Sequence, residues 1–276
     1  MAASRLARKR PRHLQFRLGG TRVLLYHGLT ASSEMRAHSR EEKFWASASQ
    51  FRDHLDQISR GGYQPALLKE VWDRWGAGDA GQPPVVLTFD DGWASDFGVA
   101  YPLLLQVGAR ADFFVNTGTI GTEGFLTWQQ IAEMHRAGMS FQSHSHDHVH
   151  LLQLSTPFLK WQLRDSKRML EDRLGTAVDF LSAPFGLLNR RVMEVALQEG
   201  YRAVCTSWAW PACPGKQTIP RIAVCRHTTS RGFSRLLAGN ALWYLPRLIW
   251  SGIKYGPRRL LRWPPTPLPA THAPEN

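Results

Sequence analysis

The chain has 276 residues, 43% of them apolar, and a formal net charge of +12. That length suits one large α/β domain or two small ones, and the apolar share is that of an ordinary globular chain. No uncharged apolar run of about 18 residues occurs, which excludes a conventional membrane span.

The charge is unevenly placed. Residues 1–22 hold seven Arg/Lys and no acid, residues 23–199 hold 16 basic and 21 acidic residues, and residues 200–276 hold 11 basic residues and one acid, Glu275. Basic flanks around a mildly acidic middle suit contact with a polyanion. The basic start is not followed by an apolar core and a small-residue cleavage site, so it does not read as a secretory signal. Cys205, Cys213 and Cys225 are odd in number and lack the close pairing of a zinc ribbon; reduced thiols in a cytoplasmic protein are expected.

In chain order, residues 22–27 read as a buried strand and residues 49–60 as a helix with Phe51, Leu55 and Ile58 on one face. Residues 84–89 and 111–115 are further strands. Thr127-Trp128-Gln129-Gln130 has the capping-box form and opens a helix that ends near Gly138. Strands over 139–143, 180–183, 202–206 and 219–224 alternate with helices over 159–174 and 189–198. Strands separated by helices imply a parallel sheet covered on both faces. About seven of them in this length predict a distorted or incomplete (β/α) barrel, with a doubly wound sheet as the alternative.

Two local patterns carry chemistry. Thr88-Phe89-Asp90-Asp91-Gly92 puts adjacent carboxylates at the C-terminal end of an apolar strand, where βα folds place their sites. Adjacent residues there point in different directions, so one can bind a metal while the other accepts a proton. Asp-Asp-Gly is equally good turn chemistry. Ser143-His144-Ser145-His146-Asp147-His148-Val149-His150 gathers four histidines after another predicted strand. His144 and His148 are four apart, so one helical turn would set both imidazoles on one side. Two imidazoles and one of the two carboxylates suit a divalent ion and leave positions open for water; a solvated polar loop is the alternative.

These two motifs resemble those of the polysaccharide deacetylase family, the NodB-homology group or carbohydrate esterase family 4. The resemblance runs from about Val23 to about Phe233 and includes Leu24-Leu25-Tyr26-His27-Gly28, Phe125-Leu126-Thr127-Trp128 and Pro220-Arg221-Ile222-Ala223-Val224. It implies that Asp90 is the general base and that Asp91, His144 and His148 hold one divalent ion. Zinc is the expected metal, and cobalt, nickel or iron fit the same donors. The general acid in many members is a histidine of a Leu-x-His motif near the C-terminus. Here that form occurs only as Leu25-Tyr26-His27, resembling the branch that carries it at the N-terminal end. His27 is therefore assigned as the acid and Leu25 as a wall of the acyl pocket.

The third family motif, Arg-x-Pro-Tyr, reads Ser182-Ala183-Pro184-Phe185 in this chain. The arginine that would orient the base is missing from it. Pro184 and Phe185 match, and the resemblance implies that the Phe185 N–H helps stabilise the oxyanion. The fourth motif's Asp is absent. Trp208 and Trp210 are candidates for stacking on a sugar or lining the acyl pocket, or for the core. His146, Asp147 and His150 match variable positions and are read as supporting or surface residues.

The resulting expectation is a metal-dependent hydrolase removing an N-acyl group, acetyl above all, from an amino sugar of a polysaccharide, an envelope glycan or its lipid-linked precursor. The alternative is a non-catalytic glycan-binding protein on a degenerate deacetylase fold. Nucleic acid is not an expected partner, since charge alone suggests it and no recognition motif is present. The expected domains are a basic arm over 1–22, the catalytic domain over 23–232, and a basic amphipathic tail over 233–276, Pro-rich and without fixed structure after 264. In the tail, Arg247, Lys254, Arg258 and Arg262 accompany Trp250 and Trp263, a composition suited to an anionic membrane surface. Cytoplasmic location, peripheral at the inner membrane face, follows as an expectation.

Overall fold

A computed structural model describes residues 18–31, 44–78 and 84–247. The chain opens with β1 (Arg22–Tyr26), a short parallel pair β2 (Leu29–Thr30) and β3 (Ala46–Ser47), then α1 (Ala48–Arg60) and α2 (Leu68–Gly76). β4 (Val85–Asp91) leads into a π-helical turn (Asp96–Ala100) and α3 (Tyr101–Gln106). There follow β5 (Asp112–Val115), α4 (Trp128–Arg136), β6 (Ser140–Ser143), α5 (Thr156–Leu174) and β7 (Phe180–Ser182). The chain continues as α6 (Arg190–Gln198), β8 (Ala203–Thr206), β9 (Thr218–Pro220), β10 (Ile222–Ala223) and α7 (Ser230–Leu237). The capping box read at Thr127 is formed, with Gln130 as its partner.

The main sheet has the order β10-β1-β4-β5-β6-β7-β8-β9, and every pairing in it is parallel. Its two edges are halves of the single strand expected over 219–224. β9 pairs with β8, the chain breaks at Arg221, and β10 pairs with β1. The sheet is thereby nearly closed into the expected barrel, with helices around it.

Alternation along the strands divides the core. Leu24 and Tyr26 of β1 and Val85, Leu87 and Phe89 of β4 pack outward with the helices. Val23, Val86, Phe114, Phe180, Ala203, Cys205 and Ile219 form a second cluster inside the barrel, with Leu68 and Val71 of α2. α2 thus plugs the N-terminal end. The Leu68 N–H donates to Asp112 Oδ2 at 2.8 Å, and the Ala66 N–H to the Val85 carbonyl at 3.0 Å. With one end filled by apolar side chains, the polar residues of the barrel collect at the other.

The packed body is longer than the expected catalytic domain. Phe233, Leu236 and Tyr244 are fully buried in the outer core, so the boundary expected at 232 falls inside α7. Thr21 and Arg22, assigned to the basic arm, are buried as well. Residues 1–17 of the arm and 248–276 of the tail lie outside the described residues. No described helix is long and apolar enough to cross a membrane.

Candidate active site

On β4, Val86, Thr88 and Asp90 share the inward face, which carries the Asp90 carboxylate into the barrel. Asp91 follows at the rim in a left-handed backbone conformation, φ +80°. Asp91, Ser145, His148 and Phe185 are the non-glycine residues with positive φ among the described residues. All four lie in the segments that form this site. Such conformations are costly and cluster where the surroundings hold them for a purpose.

The Nε2 atoms of His144 and His148 each lie 3.4 Å from Asp91 Oδ1. One ligand atom from each of the three residues falls within 4.8 Å of the others, a set that could hold a metal ion. His144 Nδ1 lies 2.8 Å from the Ser182 carbonyl oxygen. A carbonyl can only accept, so Nδ1 carries the proton and Nε2 is left free as a ligand. The donor chemistry fits one divalent ion with open positions.

The helical turn expected to align the two histidines does not form. His144 and His148 are instead joined by a loop whose Ser145 (φ +66°) and His148 (φ +51°) are left-handed. Gln162, fully buried on α5, pins this loop. Its Oε1 accepts from the His146 and Asp147 N–H groups at 3.0 and 2.9 Å, and its Nε2 donates to Asp147 Oδ2 at 2.5 Å. His146 is bonded to Thr117 at 2.8 Å, and His150 stacks on Phe185 at 4.0 Å.

Asp90 is 3% exposed and gripped by Arg221, which is completely buried. Arg221 Nη1 donates to Asp90 Oδ1 at 2.7 Å and Nη2 to Oδ2 at 2.6 Å. Ser182 Oγ donates to the same Oδ2 at 2.9 Å. The arginine counted as missing from the third motif has a counterpart in space: Ser182 occupies its place in the motif, and Arg221 brings a guanidinium to Asp90 from the break in the last strand. Sequence reasoning left Arg221 without a role. The available signal was an arginine inside a short apolar strand, which must find a partner when buried.

Burial would push the Asp90 carboxyl up, but Arg221 and His144 outweigh it and hold it below the usual carboxylate range. Asp91 is also pulled well down: burial is overcome by its bond with His144 and the charges of His27, His144 and His148. Burial lowers His148 to about 4, helped by His144. His144 is itself raised, because Asp90 and Asp91 more than offset its burial. Asp96, wholly buried behind the rim, is pushed up by desolvation and by the charges of Asp91 and Asp90.

His27 follows β1 at the same rim, half-buried against Phe44 at 5.8 Å, near enough for its charge to act on Asp90, Asp91 and His148. Leu25 is 1% exposed and shares the inward face of β1 with Val23. Pro184 is buried, and Phe185 is 44% exposed with its ring 4.7 Å from that of His148. Trp208 stands two residues past β8 on the rim side, half-buried. Trp210, read as a sugar-site or a core residue, lies with the core. Its ring packs on the outer core and on Tyr244 at 6.3 Å, and its near neighbour Ala212 bridges to Thr21 beside the opposite end of β1.

The family model for polysaccharide deacetylases matches residues 77–204. YxkH of Bacillus subtilis, by its name a candidate polysaccharide deacetylase, is 27% identical over 190 residues, covering 67% of this chain and 63% of that protein. The poly-β-1,6-N-acetyl-D-glucosamine N-deacetylase of Staphylococcus aureus is 23% identical over 214 residues, 70% of this chain and 73% of that one. Among solved structures, the Streptococcus pyogenes deacetylase PplD in complex with acetate superposes with a TM-score of 0.72 at 26% identity, covering 80% of this chain and 98% of that one. IcaB from Ammonifex degensii gives 0.70 at 25% identity, over 82% and 99%. The family match spans Asp90, Asp91, His144, His148 and Ser182, and it leaves out His27 and Arg221.

Proposed function

From its match to the polysaccharide deacetylase family model, we propose that this chain removes the N-acetyl group from an amino sugar of a polysaccharide, an envelope glycan or its lipid-linked precursor. The observation that carries the reading is one arrangement at the barrel rim: the Asp91–His144–His148 triad beside a buried carboxylate, Asp90, held ionised by Arg221. Asp91, His144 and His148 would hold a divalent ion, zinc in this reading, which would supply a Lewis acid to polarise the acyl carbonyl and to make water a nucleophile at neutral pH.

The side chains account for the remaining steps. Asp90, ionised and 3.8 Å from His144 Nε2, takes the proton from the attacking water. The Phe185 N–H, in the sharp turn that follows Ser182, is the proposed donor to the developing oxyanion. His27 gives a proton to the amine as the carbon–nitrogen bond breaks, leaving acetate and the free amino sugar. Leu25 and Trp208 are the proposed apolar wall around the acyl methyl.

The S. aureus relative's name points to β-1,6-linked N-acetylglucosamine as the first polymer to try. Acetate release from that polymer, from chitin oligomers and from lipid-linked amino sugars, with and without chelator, tests the reading. Release that persists in full after metal removal, or no release from any N-acetylated sugar by metal-loaded protein, refutes it.

The proposal extends to an anionic membrane as a second partner, with the enzyme at the cytoplasmic face. Leu242 and Leu245, 80% and 52% exposed, precede the basic, Trp-containing tail, and such a sequence suits a lipid headgroup region. Failure of the full chain to float with vesicles containing phosphatidylglycerol at physiological salt rules this contact out.

A further inference from the structure

Asp91 offers one oxygen, Oδ1, to both imidazoles. Its other oxygen, Oδ2, accepts a hydrogen bond from Trp93 Nε1–H at 3.0 Å. The indole is held by rings. Phe125 stacks on it with centroids 4.6 Å apart and planes 19° from parallel, and Trp45 meets it at 5.2 Å and 61°. Trp45 in turn lies against Gly28, where an added Cβ would come within 2.2 Å of its ring.

The backbone reinforces this clamp. Trp93 and Phe125 are antiparallel bridge partners; the Leu126 N–H donates to the Gly92 carbonyl at 2.9 Å, and the Ala94 N–H to that of Gly124 at 2.8 Å. Phe125 occupies one face of the indole, so Trp93 is a poor platform for stacking a sugar on that side. What it presents to the site is its N–H.

We infer that Trp93 is a positioning residue for the metal: its indole N–H sets the rotation of the Asp91 carboxylate, keeping Oδ1 aimed at His144 and His148 before the ion arrives. A carboxylate at a rim turns easily about its last torsion, which has a broad two-fold profile. Outer hydrogen-bond partners orient ligands, and losing one typically costs about 10–100-fold in metal affinity. The inference rests on the metal reading of the triad and adds the group that preorganises its carboxylate.

The test titrates metal-free wild type, Trp93→Phe and Phe125→Leu with zinc against a chromophoric chelator, with thermal melts of each metal-free protein. Trp93→Phe keeps a ring in the stack and deletes only the donor. Its affinity is expected to fall by about 10–100-fold with little change in melting, while Phe125→Leu, which keeps the N–H, loses less. Trp93→Phe binding as tightly as wild type overturns the inference alone. So does an equal loss in Phe125→Leu, because packing would then explain both. Wild type that binds no zinc overturns the metal reading and this inference together. A second measurement needs no variant: in metal-free wild type labelled with ¹⁵N-tryptophan, the Trp93 indole proton is expected to resist exchange, and free exchange with solvent refutes the bond.

Discussion

Arg221 and Asp90 form a two-pronged ion pair inside the barrel, Nη1 to Oδ1 at 2.7 Å and Nη2 to Oδ2 at 2.6 Å, with no solvent reaching the guanidinium. Removing one partner of such a pair strands the other charge, at a cost of about 3–5 kcal/mol. Arg221→Met is therefore expected to lower stability by that amount in urea unfolding. Arg221→Lys keeps the charge but not the fork, and should lose less. Without the guanidinium, burial pushes the Asp90 carboxyl up. A base must be ionised to act, so the acidic limb of kcat/KM against pH should move to higher pH in both variants, further in Arg221→Met.

Metal binding should follow the triad and respond to pH in a defined order. Asp91→Asn, His144→Ala and His148→Ala are each expected to abolish stoichiometric metal after dialysis, measured by elemental analysis, and activity with it. Protons compete with the ion for imidazole nitrogen. His144 is held above its ordinary value and His148 is lowered to about 4, so acidification should weaken binding first through His144. Affinity of the wild type measured from pH 8 to pH 5 should fall steadily. An affinity flat across that range contradicts the assignment.

The proton-transfer roles proposed for Asp90 and His27 should separate kinetically. Asp90→Asn retains a side chain of the same shape but cannot take a proton, and should lower kcat by about 10²–10⁴-fold while metal remains bound. His27→Ala should do the same on an N-acetyl sugar. On an acetate ester with a good leaving group, which departs without protonation, His27→Ala should lose far less than Asp90→Asn. Equal losses on both substrates would remove His27 from the role of acid.

Asp112 gives a test at the other end of the barrel. It accepts the Leu68 N–H at the start of the plugging helix, is completely buried, and burial raises its carboxyl to about 7. Its ordinary value is 3.8. Between these values the folded state binds more protons than the unfolded state, so this group makes stability fall as pH rises from about 4 to about 7. The slope is at most ~1.4 kcal/mol per pH unit. Asp112→Asn still accepts the Leu68 N–H and carries no titrating charge. Its stability relative to wild type should therefore grow across that range and level off above it, read from urea midpoints at several pH values.

The sequence by itself determined the alternation of strands and helices, and with it the barrel. It also carried the chemistry of neighbours in the chain, Asp90 with Asp91 and His144 with His148, because hydrophobic periodicity and short motifs are local. What brings the two histidines together was not local: it is a loop of left-handed residues pinned by Gln162, where a helical turn was expected. Tertiary structure alone decided how Asp90 is tuned. Arg221 lies 131 residues further along the chain, and only closure of the barrel, with its last strand split at that residue, turns the guanidinium onto the carboxylate. The same holds for Trp93, whose N–H meets Asp91 because the loop through Phe125 folds back over it. Trp210 shows the converse. Its ring suited a sugar site and the core equally, and the return of the chain after β8 to the far end of the barrel packs it on the core. Spacing reports on neighbours along the chain, and charge placement inside a closed barrel depends on which strands end up side by side.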